Sequence, residues 1–447
     1  MSLVKGITKQ ILSRFPYRYI NVGREFYKWL NTFERMKTMT REQIREAQFA
    51  SFANMVSYAY GETKFYRRLY DDHGFHPNQL KDLSDIRRIP VISRAMVKEA
   101  GMDIVAAKYA SKRLFVGSTS GSTGTSLTVY SNRALEQREW ASTCFLWSSA
   151  GYRPGDGRVE LRGLFPGGEE YKIDPYHRVF RVNVSKLTPN NIHSILERIE
   201  ETGYEFIHGY PSSVSLASKL VLDNGLVHAY KPKAVLLASE NVFDYQLNTI
   251  RKAFPDALLN AHYGQSERVV TASWNDGESG YHFNPLYGYV EFRQETNAVI
   301  GTSFINDVTP FIRYELNDIA STENPEPSSR YLFPAIKSID GRVGEIMYKP
   351  NGDMVSSALV AIAVRGTKSV TACKLIQHRL NEIEILVETV QGQSEVMEEL
   401  KPVLQRLRSI FTDAMIFTIS VVDHIPRGPS GKFKSVEVLI DQAGVPV

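Results

Sequence analysis

Cysteine is nearly absent: the 447 residues contain two, Cys144 and Cys373, far apart in the chain. Two distant thiols supply neither a disulfide framework nor the paired spacing of a zinc site, and they fit a reducing cytoplasm. Long apolar runs are missing too. No stretch approaches the roughly 18 uncharged apolar residues of a membrane span. Charge of one sign is also lacking. The formal net charge is +4, from 53 basic and 49 acidic residues, and a balance this even argues against nucleic acid as a partner. Residues 1–30 are basic and semi-apolar, without the continuous apolar core or small-residue cleavage site of a secretory signal. Lys5, Lys9, Arg14, Arg18 and Arg24 beside Leu3, Ile7, Ile11, Phe15 and Tyr19 suit either a membrane-surface helix or one packed on its own domain. What is present is globular: 43% hydrophobic and 23% charged residues, in a chain long enough for two or three units.

One stretch stands out. Ser118 to Leu127 reads STSGSTGTSL, with seven hydroxyl side chains and two glycines in ten residues. Glycine relaxes the backbone, and Ser and Thr bond local backbone groups, so this run forms neither helix nor strand interior. It can wrap a phosphate with N–H and O–H donors, or it can be a surface turn. It lacks the lysine of the G-x-x-x-x-G-K-[ST] loop, because Thr125 follows Gly124, so a polyphosphate held there needs a cation from elsewhere.

Around it, Thr40-Arg41-Glu42-Gln43 has capping-box form and opens a core-facing helix. Leu80 to Ile89 carries apolar residues at near-helical spacing up to Pro90. A helix is expected over Ala134–Ser149. Beyond Gly157, short apolar runs (Val159–Leu161, Phe206–Tyr210, Ala234–Ala238) alternate with helices, one of them opened by Thr188-Pro189. That alternation predicts a mostly parallel, covered sheet, with ligands beyond the strands' carboxyl ends. Three such ends are polar: His208-Gly209-Tyr210, Ser239-Glu240-Asn241 and Tyr263-Gly264-Gln265-Ser266-Glu267. From Val290 the texture is β-rich, and after Asp340-Gly341-Arg342 a small α/β unit follows, with a helix over Ser394–Phe411.

Taken in order, these stretches resemble the adenylate-forming enzymes that activate carboxylic acids as acyl-AMP. The nearest likeness is to the phenylacetate–CoA ligase and CapK-like branch, the latter named from capsular polysaccharide biosynthesis. The hydroxyl-rich loop resembles S-[ST]-G-[ST]-T-G, and YGQSE resembles Y-G-x-[ST]-E. Thr309-Pro310-Phe311-Ile312-Arg313-Tyr314 with Asp318 resembles P-x-x-R-Y-x-x-G-D, with Asn317 in the place of glycine. Asp340-Gly341-Arg342 resembles the hinge motif, and Ile425-Pro426-Arg427 with Ser430-Gly431-Lys432 resembles the C-terminal lysine loop. The resemblance implies an α/β fold: a large N-terminal domain, 1–341, of mixed sheets flanked by helices, and a small mobile C-terminal α/β domain, 342–447.

It also implies the site. Ser118, Thr119, Ser120, Gly121, Ser122, Thr123, Gly124 and Thr125 would hold the ATP phosphates. Glu267 would help bind Mg2+. Tyr263, Gly264, Gln265 and Ser266, with Ser239, Glu240 and Asn241, would face adenine, Ser239 standing where relatives usually have glycine or alanine. Asp318 would bind the ribose, and Arg342 would join it or the phosphates. Lys432 would bridge the reacting carboxylate and the α-phosphate, with Glu267 as the other catalytic group. His208, Gly209, Tyr210 and Trp147 are expected to border the acid pocket, though a buried strand-end role for His208 is the simpler alternative. Val343-Gly344-Glu345 follows Arg342 where ligase relatives carry acidic residues, which leaves the hinge residue open.

The expected reaction is ATP-dependent activation of a small carboxylic acid with release of pyrophosphate, then acyl transfer to coenzyme A. Transfer to the amine of an amino sugar or amino acid in surface-polysaccharide synthesis is the alternative. Thr125-Ser126, where Lys-Pro is more usual, points to the CapK-like side. A non-catalytic nucleotide-binding protein is a third reading, disfavoured by the joint presence of Glu267 and Lys432. A cytoplasmic homodimer without transmembrane segments is the expected setting.

Overall fold

A computed structural model describes residues 22–118, 127–162, 169–321, 335–342, 346–351, 354–356, 367, 369–389, 393–427 and 433–440. It is a mixed α/β protein with several sheets. The chain divides into two compact units: Tyr17–Ser149 with His262–Ile339, and Ala150–Ala261 with Asp340–Val447. The strand Leu258–Gly264 begins in one and ends in the other. No helix among the described residues is long and apolar enough to cross a membrane.

In the unit containing Tyr17–Ser149, the capping box is present. The Thr40 hydroxyl accepts from Gln43 N at 3.3 Å, and Gln43 Oε1 accepts from Thr40 N at 2.9 Å. The helix it opens, Arg41–Glu62, buries Ile44, Phe52, Met55, Val56 and Ala59 along one side. The stretch ending at Pro90 does not make a continuous helix. It forms two short 3-10 turns, Pro77–Gln79 and Leu83–Arg88, because Pro77 and the Asp82 cap each restart the backbone. Of the basic N-terminal region, residues 1–21 lie outside the described residues. The helix that follows, Arg24–Arg35, buries Phe26 and Phe33 and sets Phe33 against Phe145 of helix Arg133–Trp147, with ring centroids 5.8 Å apart. Strands Gly288–Phe292, Ala298–Ser303 and Tyr314–Ser321 form an antiparallel sheet. One core joins helix and sheet residues, including Phe52, Tyr66, Ile92, Val269, Phe311 and Tyr314.

In the other unit, Arg158–Leu161, Phe206–Gly209 and Ala234–Ala238 run parallel, with Val159 opposite Ile207 and Ile207 opposite Val235. All five residues of Ala234–Ala238 are buried, as a strand covered on both faces requires. Gly209 cannot be replaced without a shift, since a Cβ there would lie 2.7 Å from the Leu161 carbonyl oxygen. The helix expected from Thr188-Pro189 begins later, at Ile192. Asn191 Oδ1 accepts from Thr188 N at 2.8 Å and closes a turn first. Residues 370–389 form an antiparallel hairpin, flanked by the parallel strands Ile416–Val421 and Val436–Val438. Helix Gln393–Phe411 contributes Val396, Leu400, Val403, Leu407 and Phe411 to their shared core.

Candidate active site

Three of the sequence-selected residues gather in the unit containing His262–Ile339. Tyr263 closes strand Leu258–Gly264, and its hydroxyl donates to Asp318 Oδ2 at 2.6 Å. Asp318 lies in strand Tyr314–Ser321 and is 5% exposed. Glu267 is 6% exposed, and its Oε1 lies 3.4 Å from Arg94 Nη1. Arg94 also lies beside the buried Tyr314 phenol. Burial raises the pKa of that phenol, and the Glu267 carboxylate adds to the rise while Arg94 opposes it. Tyr314 thus senses Glu267, Asp318 and Arg94 together.

Sequence reasoning did not select Arg94. It stands 173 residues from Glu267 and reads locally as the first residue of a short helix, Arg94–Ala100, capped by Ser93. Its placement is tertiary. Ile92 is clipped to the β-rich segment by two backbone bonds, Ile92 N to Arg313 O and Glu315 N to Ile92 O, each 3.0 Å. Arg313 secures the approach by donating to the carbonyls of Arg87 and Ile89 and pairing with Glu291. Its own φ is +48°.

The loop carrying Glu267 is held from behind. Asn306 Nδ2 donates to the Glu267 carbonyl at 3.0 Å, and Ser303 Oγ to the Arg268 carbonyl at 2.7 Å. Thr271 Oγ1 donates to the Tyr263 carbonyl at 2.9 Å. Gln265 Oε1 accepts from Val270 N, while its buried Nε2 has no partner among the described residues. Gly264 and Ser266 are exposed. Trp147 is buried rather than open; its Nε1 donates to His262 Nδ1 at 3.2 Å.

The hydroxyl-rich loop, residues 119–126, lies outside the described residues. Its arms, Phe115–Ser118 and Thr128–Ser131, pair antiparallel and place Ser118 opposite Thr128.

The other unit holds the remaining positions. Ser239 has a φ of +69°, a left-handed backbone that glycine adopts without strain. Glu240 spans two elements: Oε2 accepts from Ser212 N at 3.1 Å and Oε1 from Phe433 N at 2.7 Å. Arg427 converges on the same helix start, donating from Nη1 to Ser212 Oγ at 2.5 Å and from Nη2 to the Ser212 carbonyl at 2.9 Å. Burial lowers the Arg427 pKa, against the pull of the Glu240 and Glu388 carboxylates. Asn241 is half-buried. His208 is 3% exposed, and its Nδ1 donates to the Leu236 carbonyl at 2.8 Å, which places it in the sheet as a bonded strand-end histidine. Tyr210 lies under the Arg162 guanidinium, 5.5 Å from its ring centre. Arg342 ends strand Ser338–Arg342; its side chain and Lys432 lie outside the described residues.

No group of three or more His, Cys, Asp or Glu residues among the described residues could hold a metal ion. A single buried carboxylate suits magnesium better than zinc, because magnesium keeps waters and takes one or two carboxylates together with substrate phosphates.

The model of the CapK C-terminal domain family matches residues 347–438. The chain is 22% identical to Protein CapK of Staphylococcus aureus over 426 residues, covering 92% of this chain and 93% of that protein. It is 28% identical to the phenylacetate-coenzyme A ligase of Aromatoleum evansii over 342 residues, 70% of this chain and 74% of that one. Among solved structures it is similar in fold to 2-hydroxyisobutyryl-CoA ligase in the postadenylation state in complex with R3-HIB-AMP. The TM-score there is 0.69, at 17% identity, over 90% of this chain and 91% of that one. The ordered motifs, the near full-length likeness to CapK, the CapK C-terminal domain match and the shared fold point the same way: the chain is similar to the CapK-like branch of the adenylate-forming enzymes.

Proposed function

We propose that the protein condenses a small carboxylic acid with ATP to give acyl-AMP and pyrophosphate, and then passes the acyl group to coenzyme A. The observation that carries this reading is the convergence of Tyr263, Glu267, Asp318, Tyr314 and Arg94 within one unit. Joining two anions requires positioning and charge neutralisation more than covalent help from the protein. Asp318, fixed by Tyr263, offers lone pairs to ribose hydroxyls. Glu267 is the residue that would hold magnesium, which when bound neutralises phosphate charge. Residues 118–125 would cradle the outer phosphates, and Lys432 would lie between the carboxylate and the α-phosphate. Ser239, Glu240, Asn241 and Arg342 remain candidates for nucleotide contacts, and 342–447 for a domain that moves between the half-reactions.

Transfer to an amine is a second reading. The CapK C-terminal match and the likeness to CapK along most of the chain support it, as does Val343-Gly344-Glu345 after Arg342.

Acid-dependent exchange of labelled pyrophosphate into ATP, over a panel of aryl, hydroxy and fatty acids, tests the first step. One acid is expected to support exchange, and Lys432→Ala to reduce it by about 100-fold or more with ATP binding retained. Unchanged exchange in that variant removes Lys432 from the chemistry. Consumption of the acyl-AMP on adding coenzyme A, but not amino sugars or amino acids, identifies the acceptor; the reverse pattern selects the amine reading.

A further inference from the structure

The hydroxyl-rich loop lacks the lysine that usually accompanies a polyphosphate, and Arg94 supplies a charge that no motif accounts for. Two solvent-exposed arginine–carboxylate pairs in this unit are loose, Arg68–Asp103 at 3.8 Å and Arg88–Asp85 at 3.9 Å, but the less exposed pairs are tight. Arg293 grips Glu315 with two contacts of 2.8 Å, Arg313 holds Glu291 at 3.0 and 2.9 Å, and Arg138 meets Asp307 at 2.7 Å. The pair at Glu267 is looser, at 3.4 Å, with the Arg94 side chain 23% exposed and the Glu267 side chain 8%. That distance exceeds the range of a good N–H···O bond, yet the two charges sit beside the buried Tyr314 phenol and near Asp318. The main chain leading into Arg94 is held by backbone bonds at Ile92, two residues away.

We infer that Arg94 is the exchangeable counter-ion of Glu267 and the phosphate-facing cation of the nucleotide site. Without ligand, its guanidinium neutralises the carboxylate. A divalent ion on Glu267 would bring two cations to one carboxylate, and the repulsion turns Arg94 toward the nearest new anion, the polyphosphate. Metal and nucleotide binding are then coupled: each alone is opposed by an unpaired charge, and together they leave every charge matched. A guanidinium suits this exchange because its fork engages carboxylate and phosphate equally well. The inference rests on Glu267 as the metal ligand of the proposed reaction.

The test is calorimetric, on the whole chain, with three titrants: Mn2+ alone, ATP in EDTA, and both together. In Arg94→Met, Mn2+ alone is expected to bind about tenfold more tightly, since Glu267 loses its internal counter-ion, and ATP in EDTA about tenfold more weakly. A residue that only stabilised the fold would not raise metal affinity. Arg94→Lys, which keeps the charge without the fork, is expected to shift both values in the same directions by less, and serves as well if the Met variant does not fold. Glu267→Gln is expected to abolish binding of Mn2+ alone. If Glu267→Gln loses the metal while the Arg94 variants leave Mn2+ and ATP affinities unchanged, the role of Arg94 is overturned and the metal assignment survives. If Glu267→Gln leaves Mn2+ affinity unchanged, the metal assignment falls, and this inference with it.

Discussion

Asp307 shows how single charges support the site without entering it. Its carboxylate accepts from Arg138 Nη1 at 2.7 Å, Tyr109 at 2.7 Å and Lys108 at 3.2 Å, and its carbonyl accepts from Tyr58 at 2.7 Å. Its neighbour Asn306 holds the Glu267 carbonyl. Burial pushes the Asp307 pKa up, but Arg138, Tyr109 and Lys108 outweigh it and leave the carboxyl below its usual range. A carboxyl with a depressed folded-state pKa adds stability that is complete above the unfolded value, about 4, and is lost as pH falls through the folded value. Asp307→Asn is therefore expected to cost about 2 kcal/mol at pH 7, because the charged acceptor shared by Arg138, Tyr109 and Lys108 is lost, although Arg138 keeps Glu25 at 2.9 Å. Between pH 5 and the folded value of Asp307 the wild type should lose that advantage. Urea unfolding at pH 7 and at acid pH checks it; parallel losses in both proteins would contradict the assignment. At this scale the sequence was partly readable. Tyr263, Glu267 and Asp318 sit in short motifs whose spacing is local, so they could be named in advance. Arg94 could not, because a Ser-capped arginine after Pro90 looks like any helix start until Ile92 is clipped to residues 313–315.

Among elements, the strongest sequence signals were side-chain caps and buried runs. Thr40 with Gln43 set the helix start it announced, and Ala234–Ala238 is buried along its whole length. Weaker ones failed where a polar side chain could close a turn first, as Asn191 does ahead of Ile192, or where proline and an aspartate cap broke a run into 3-10 turns. The link between Glu240 and residues 427 and 433 had no signature, since two of its acceptors and donors are backbone atoms. Glu240 bonds Phe433 N while Arg427 bonds Ser212, so both flanks of residues 428–432 are tied to the start of helix Pro211–Asp223. Loss of a hydrogen bond to a charged acceptor costs about 1.5–3 kcal/mol. Glu240→Ala should therefore speed amide exchange at Phe433 by about tenfold or more, while amides of strand Ala234–Ala238 stay protected. Equal exchange at Phe433 in both proteins would show that Glu240 does not hold this segment.

For the molecule as a whole, each compact unit is built from separated stretches of chain. Tyr66 bonds Pro310 and Ile312, Gln48 bonds Pro285, and Arg138 bonds Ile305 and Asp307. Residues 22–149 therefore lack much of their core partner until His262–Ile339 is present. A chain cut after Ala261 is expected to have its first 149 residues digested by trypsin at least about tenfold faster than in the full-length protein, since local opening governs cleavage. Comparable resistance would mean that the first stretch is stable by itself.

This interleaving bears on how the protein is made. On the ribosome the first stretch emerges, and the whole of Ala150–Ala261 is synthesised before its partner follows. At about 5–20 residues per second, buried positions such as Phe52 and Tyr66, which meet Tyr289, Pro310 and Ile312, stay unsheltered for on the order of ten seconds in every round of synthesis. A chaperone binding newly made chains has that interval in which to act, and codon choice across 150–261 sets its length.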